Sequence, residues 1–225
     1  MISVLFVHGM GRSPLSGWLM LHKLRKAGLK TNAFSYSASL EGFESITQRL
    51  TTQVIQMAKA GDYLVIGHSL GGVLLRSVLN TLPEGTKRPQ QVFLLGSPIQ
   101  PSRLATQLKD NIIYRTSFGD CGQLLGSKRR MAAIGSLTLP TTSIVGVRGI
   151  GFRWSLFGDE QNDGVVSISE VSADWISNQI LVPVIHTLLP SSDRVIQIIL
   201  QDSEKTNQQS DRSLADVTQS VSKTL

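Results

Sequence analysis

The chain has 225 residues, 41% hydrophobic and 17% charged, which provides for one large buried core and argues against disorder. Lys and Arg number 22 against 16 Asp and Glu, a formal net charge of +6. The cations are scattered, and the longest cluster, Lys128-Arg129-Arg130, has no aromatic residues interleaved, so no nucleic-acid surface is expected.

Residues Ile2 to Val7 are apolar and rich in β-branched side chains, and stop at His8-Gly9-Met10-Gly11. They read as a strand running into a loop. Trp18, Leu19, Leu21, Leu24 and Ala27 recur at helical spacing before Gly28, which predicts an amphipathic helix from about Ser16. Thr31 to Tyr36 is a predicted strand. Phe43, Ile46, Leu50, Val54, Met57 and Ala58 share one stripe, so 43–60 is a predicted helix broken by Gly61-Asp62.

Tyr63 to Gly67 is a continuous apolar run of the kind buried on both faces in parallel sheets. Leu70 to Leu82 is a predicted helix, and Gln91 to Leu95, Thr142 to Val147 and Ile180 to Val184 are predicted strands. A closing helix is expected from about Ser191-Ser192-Asp193 through Leu200. Strands alternating with helices point to an α/β fold with a mostly parallel sheet of about six strands. Residues 101–140 break this rhythm. After a short helical piece at Ser102 to Leu108 comes a stretch punctuated by Gly119, Gly122, Gly126 and Gly135, read as an irregular cap-like segment. The expected domain is 1–201, with 202–225 a polar, disordered tail.

The single cysteine, Cys121, excludes an intrachain disulfide and any Cys-based metal site. The four histidines, His8, His22, His68 and His186, include no pair at the i, i+4 spacing of a helical zinc site. No metal or other cofactor is expected. No apolar run reaches the roughly 18 residues of a membrane span. The N-terminus lacks the charged region that precedes a signal peptide's apolar stretch. The expectation is a cytoplasmic protein.

Gly67-His68-Ser69-Leu70-Gly71-Gly72 fits G-x-S-x-G between a buried strand and a helix. The glycines are needed because side chains two residues before and after the serine would meet neighbouring backbone on so sharp a turn. The turn lifts the Ser69 hydroxyl clear of the sheet and points the Leu70 N–H and a helix N-terminus at the same space, where negative charge can develop. The bland alternative is a glycine-rich turn with an incidental serine. A phosphate-binding turn would need a following Lys or the spacing G-x-G-x-x-G, and neither is present.

With the strand and loop Val4-Leu5-Phe6-Val7-His8-Gly9-Met10-Gly11, this motif resembles the α/β-hydrolase superfamily, nearest to bacterial lipases and small lipase-like serine esterases. The resemblance implies a three-layer fold in a minimal form without the superfamily's initial strands. It also implies an oxyanion hole made by the backbone N–H groups of Met10 and Leu70, with His8 structural.

A serine nucleophile needs a base and a group that orients it. The superfamily order is Ser, then Asp or Glu, then His. His186 is the only histidine after Ser69, and it follows a predicted strand. For the acid, Asn162-Asp163-Gly164-Val165-Val166 resembles the lipase segment that holds the catalytic aspartate. Asp159 and Glu160 compete from a glycine-containing loop, where solvated surface charge suits them better. An ordinary Asp-Gly turn is the alternative for Asp163.

The expected function is hydrolysis of carboxylic esters through an acyl-enzyme on Ser69. The alternatives are an acyltransferase or thioesterase on lipid-like acyl groups, or a catalytically silent binding module of the same fold. The expected partner is a small-molecule or lipid ester, with transient membrane-surface contact conceivable and no nucleic acid. Substrate-contacting candidates are Met10, Leu15, Pro98 and Phe157. The wider candidate segments are Ser13 to Leu15, Pro98 to Leu104 and Ile112 to Ile134, with the cluster Phe152, Trp154, Leu156 and Phe157 before Asp163. The cluster either packs on the core or forms an apolar rim. Arg148 and Arg153 stand near it in sequence.

Overall fold

The computed structural model describes residues 2–149 and 156–205. Among them are strands β1 (Ser3–Val7), β2 (Lys30–Phe34), β3 (Tyr63–His68), β4 (Gln91–Leu95), β5 (Thr141–Gly146) and β6 (Asn178–Val182). They form one all-parallel sheet in the order β2-β1-β3-β4-β5-β6. The helices are α1 (Trp18–Lys26), α2 (Phe43–Ala60), α3 (Leu70–Thr81), α4 (Arg103–Leu108), α5 (Ile112–Leu125), α6 (Lys128–Ala133), α7 (Ile168–Val171) and α8 (193–205).

Alternation along the strands builds two apolar layers, because successive side chains point to opposite faces. Leu5, Val7, Val65, Val92 and Leu94 pack with α2, α3 and the helices of 103–133. Val4, Phe6, Leu64, Ile66, Phe93 and Leu95 pack with Met20 and Leu24 of α1 and with Val195, Ile196 and Ile199 of α8. The sheet is therefore covered on both faces, as a parallel sheet requires. The helix ends follow from local chemistry. In α1 the Leu29 N–H reaches the Leu24 carbonyl and Gly28 takes φ 89, a left-handed stop that glycine adopts without strain.

The chain runs outward from β1 to β2 and then returns to β3 on the other side of β1. The carboxyl ends of β1 and β3 are therefore adjacent where the winding reverses, with Val7 opposite Gly67. Such a switch point is where open α/β sheets hold their ligands.

Residues 101–140 differ from the expected irregular segment. The helical piece expected at Ser102 to Leu108 is present as α4, and two more short helices follow it, all three with first turns capped by side chains. Ser102 Oγ accepts from Ala105 N–H, Asn111 Oδ1 from Ile113 and Tyr114 N–H, and Ser127 Oγ from Arg130 N–H. At Gly119 (φ 48, ψ −138) the backbone leaves helical geometry, so α5 is two helical segments joined at a kink. The closing helix also passes residue 201 and continues to 205, where Ser203 is buried and donates to the Leu200 carbonyl. The rest of the expected tail, 206–225, lies outside the described residues. No helix among the described residues is long and apolar enough to cross a membrane.

Candidate active site

Ser69 sits between β3 and α3 with φ 52 and ψ −123, and it is the one non-glycine residue with positive φ among the described residues. A serine in that region is strained and is held by its surroundings. Its N–H donates to the Leu95 carbonyl, and its carbonyl accepts from Gly72 N–H and from Ser97 Oγ. The elbow closes only with glycines around it. A Cβ on Gly67 would come within 2.4 Å of Gly72 backbone, and one on Gly71 within 2.1 Å of the Val7 carbonyl oxygen. Leu70 opens α3, so its N–H has no acceptor inside the helix. Met10 lies in the loop after β1, beside the elbow.

His186 begins a 3-10 helix (His186–Ser191) just beyond β6, rather than lying in an open loop. Its Nδ1 stands 2.6 Å from Asp163 Oδ2, and both side chains are buried. A carboxylate only accepts, so Nδ1 carries a proton, and in the neutral imidazole Nε2 then keeps its lone pair. The other carboxylate oxygen, Oδ1, accepts from Val165 and Val166 N–H at 3.0 and 2.9 Å. The backbone repeats the link, with His186 N–H donating to the Asp163 carbonyl. Gly96 makes room for the pair: a Cβ there would stand 3.0 Å from both Asp163 Oδ2 and His186 Nδ1.

The competing carboxylates lie elsewhere. Glu160 pairs with Arg103 at 2.8 Å and accepts from Ser169 N–H, while Asp159 is exposed. Ser69 Oγ makes no hydrogen bond to His186 among the described residues. Bonds of this kind are often loose in ligand-free enzymes and tighten with substrate.

Two further histidines surround the elbow. His68 is fully buried, and its Nε2 donates to the His186 carbonyl at 3.1 Å, with the two rings 4.8 Å apart. Burial, reinforced by the facing His186, holds its pKa well below the ordinary histidine value. His8 stacks on Tyr36 at 4.2 Å, the Tyr36 hydroxyl donates to the His8 carbonyl, and burial lowers its pKa.

A cavity of about 180 Å³ opens at Ser69. Met10 and Pro98 line it, with Leu104, Ala105 and Leu108 of α4, Tyr114, Phe118 and Leu125 of α5, and Val165 and Val166 of the loop after Asp163. Two expected contacts are not brought there. Leu15 is 77% exposed in a 3-10 turn (Pro14–Gly17) that faces solvent, and Phe157 is buried outside the cavity lining. Leu156 is exposed, whereas Phe152, Arg153 and Trp154 lie outside the described residues. Arg148 lines a separate groove beside His186.

Sequence reasoning passed over Gly96 and Ser97, although the end of an apolar strand at Gly96-Ser97-Pro98 marked them. It also passed over Glu170, which is buried at the foot of α4. Glu170 Oε1 accepts from Arg103 N–H, and Oε2 accepts from the N–H and hydroxyl of Ser167. The S-x-x-E spacing of Ser167 to Glu170, a helix capping box, was a signal for the Ser167 contact, whereas nothing in the sequence pointed to Arg103. Among the described residues no group of three or more His, Cys, Asp or Glu could hold a metal ion. Cys121 is buried, and burial pushes its thiol up to about 12.

Residues 4–101 match the model of a family described as "Putative serine esterase (DUF676)". No curated protein matches the chain. Solved structures share its fold over nearly all of its length. ClbQ from the colibactin NRPS/PKS pathway is 16% identical, over 92% of this chain and 98% of its own, with a TM-score of 0.60. The RedJ thioesterase from the prodiginine biosynthetic pathway in Streptomyces coelicolor is 13% identical over 91% of this chain and 85% of its own, with a TM-score of 0.60. The Bacillus licheniformis lipase BlEst2 in propeptide form is 15% identical over 88% of this chain and 50% of its own, with a TM-score of 0.65. These similarities establish the α/β-hydrolase fold.

Proposed function

We propose that this chain is a serine ester hydrolase that works through an acyl-enzyme on Ser69. The observation that carries the reading is the buried Asp163–His186 pair at the same carboxyl end of the sheet as a serine held on a strained strand-to-helix elbow. Neither feature has an evident structural purpose that an apolar turn would not serve at lower cost. The match of residues 4–101 to a serine esterase family adds independent support.

In the proposed reaction His186 Nε2 takes the Ser69 proton as Oγ attacks the ester carbonyl. The oxyanion lies against the N–H groups of Met10 and Leu70. The tetrahedral intermediate collapses, the carbon–oxygen bond to the alcohol breaks, and His186 returns the proton to the departing oxygen. Water then attacks the acyl-enzyme with His186 as base, and the carboxylic acid leaves with Ser69 restored. Asp163 fixes the imidazole tautomer and stabilises the imidazolium. The same steps cleave a thioester, and the thioesterase among the structural neighbours makes acyl thioesters the second substrate class to try.

Turnover of p-nitrophenyl esters by purified protein tests the reading. Hydrolysis that Ser69→Ala reduces by at least about a thousandfold is expected, given what the loss of a serine nucleophile costs. Equal rates for the two proteins would refute it.

A further inference from the structure

The cavity at Ser69 and the groove at His186 share one wall, Val165. His186 has to pass a proton to the departing oxygen, so the leaving group lies over the groove that His186 lines. That groove holds about 230 Å³ and is the more open of the two. The acyl group then occupies the other space, lined by Ser69 and Met10 but not by His186. We propose that this cavity is an acyl pocket that accepts a neutral chain of about six carbons and excludes long ones. The inference rests on the esterase reading of Ser69.

Three observations set the chemistry and the length. The cavity wall carries no Lys, Arg, His, Asp or Glu, so a charged acyl group would be stripped of water without compensation. Its volume of about 180 Å³, at roughly 30 Å³ for each water-sized group, accommodates about six methylene-sized groups. One wall is made of packed aromatic rings, Tyr114 and Phe118. Phe118 lies edge-on to Tyr114 at 5.1 Å, and its ring reaches to 3.3 Å of the position a Cβ on Gly11 would take.

The segment that carries these rings is tied to its neighbours by hydrogen bonds and an ion pair. Ser39 Oγ donates to the Ser117 carbonyl, and Asp120 accepts from Phe43 N–H at the start of α2 while pairing with Arg130. A Cβ on Gly122 would come within 2.9 Å of Phe118 Cβ, so the close packing of the two rings requires glycine there.

The test has two arms. The first is kcat/KM on p-nitrophenyl esters from acetate to palmitate for the wild type, Phe118→Ala and Leu108→Ala. A wild-type optimum near hexanoate is expected, with palmitate at least about tenfold poorer, since each misfit methylene costs a substantial factor. Either variant should move the optimum toward longer acyl chains, and Leu108 stands on a different helix in case the first variant folds poorly. The second arm compares dodecyl hexanoate with hexyl dodecanoate, two isomers that exchange acyl and alcohol lengths. Faster cleavage of dodecyl hexanoate, by about tenfold or more, is expected. Turnover with a flat profile through palmitate, or with hexyl dodecanoate preferred, would overturn the pocket while leaving the esterase reading intact. Folded protein that hydrolyses no ester of any length would overturn both.

Discussion

His186 Nδ1 and Asp163 Oδ2 lie 2.6 Å apart with both side chains buried, while Asp163 Oδ1 is taken up by the N–H groups of Val165 and Val166. The carboxylate has no direction left in which to turn. Asp163→Asn should keep the fold and present an amide where Nδ1–H needs an acceptor, which favours the wrong tautomer. We expect kcat on a p-nitrophenyl ester to fall by about a thousandfold or more at neutral pH, with an unchanged circular-dichroism spectrum.

Gly96 has φ 53, and a Cβ there would stand 2.8 Å from Leu189 Cδ1 as well as 3.0 Å from both members of the pair. Gly96→Ala should therefore cost backbone strain and displace the imidazole. A loss of about 1–3 kcal/mol in urea unfolding is expected, together with a fall in kcat larger than any change in KM.

His68 and His8 give the protein an acid-side weakness. Their pKa values are lowered by burial, and His68 Nδ1 and His8 Nε2 are buried without a hydrogen-bond partner among the described residues. His68 faces His186, Arg12 and His8, all cationic or able to become so. The unfolded chain binds protons at about pH 6.5 while the folded chain does not. The stability these groups contribute is thus fully present above that pH and is lost as the pH falls below it. Each contributes a slope of up to about 1.4 kcal/mol per pH unit. Urea midpoints should drop between pH 7.5 and 5, and His68→Gln should flatten the profile. If the two proteins keep the same slope, His68 is not the source.

Glu170 ties the loop after Asp163 to α4, which lines the cavity. Its carboxylate binds Ser167 on one side and the first turn of α4 on the other, and its carbonyl accepts from Ile99 and Gln100 N–H. Glu170→Ala leaves several buried donors unpaired, so a destabilisation of about 2–4 kcal/mol is expected. Activity should fall as well, because both Asp163 and Leu104 hang on this network, and thermal unfolding beside ester turnover measures both.

The parts of this structure that could be read from the sequence are those set by local patterning. The stripe of α2 and the unbroken apolar runs of β3 and β4 appear where the periodicity places them, because burial on one or both faces leaves few residue choices. Ser69, Asp163 and His186 stood out because a sharp elbow, a histidine after the last strand and an Asp-Gly turn each need particular residues nearby. Of the helices of 103–133, the first lies where a helical piece was expected, whereas those of 112–133 were hidden because they are short and Gly119, Gly122 and Gly126 read as breaks, although the caps Asn111 and Ser127 were visible. Contacts such as Glu170 with Arg103, or His68 with the His186 carbonyl, join distant segments through single hydrogen bonds. Spacing along the chain carries no trace of such pairings.

The central claim is that Ser69 is an activated nucleophile. Reaction of the folded protein with a fluorophosphonate, followed by intact mass and peptide mapping, tests it most directly. The account predicts one adduct, located on Ser69, formed slowly by Asp163→Asn and not at all by Ser69→Ala. Folded wild-type protein that takes up no label, or that is labelled equally well after Ser69→Ala, would contradict it.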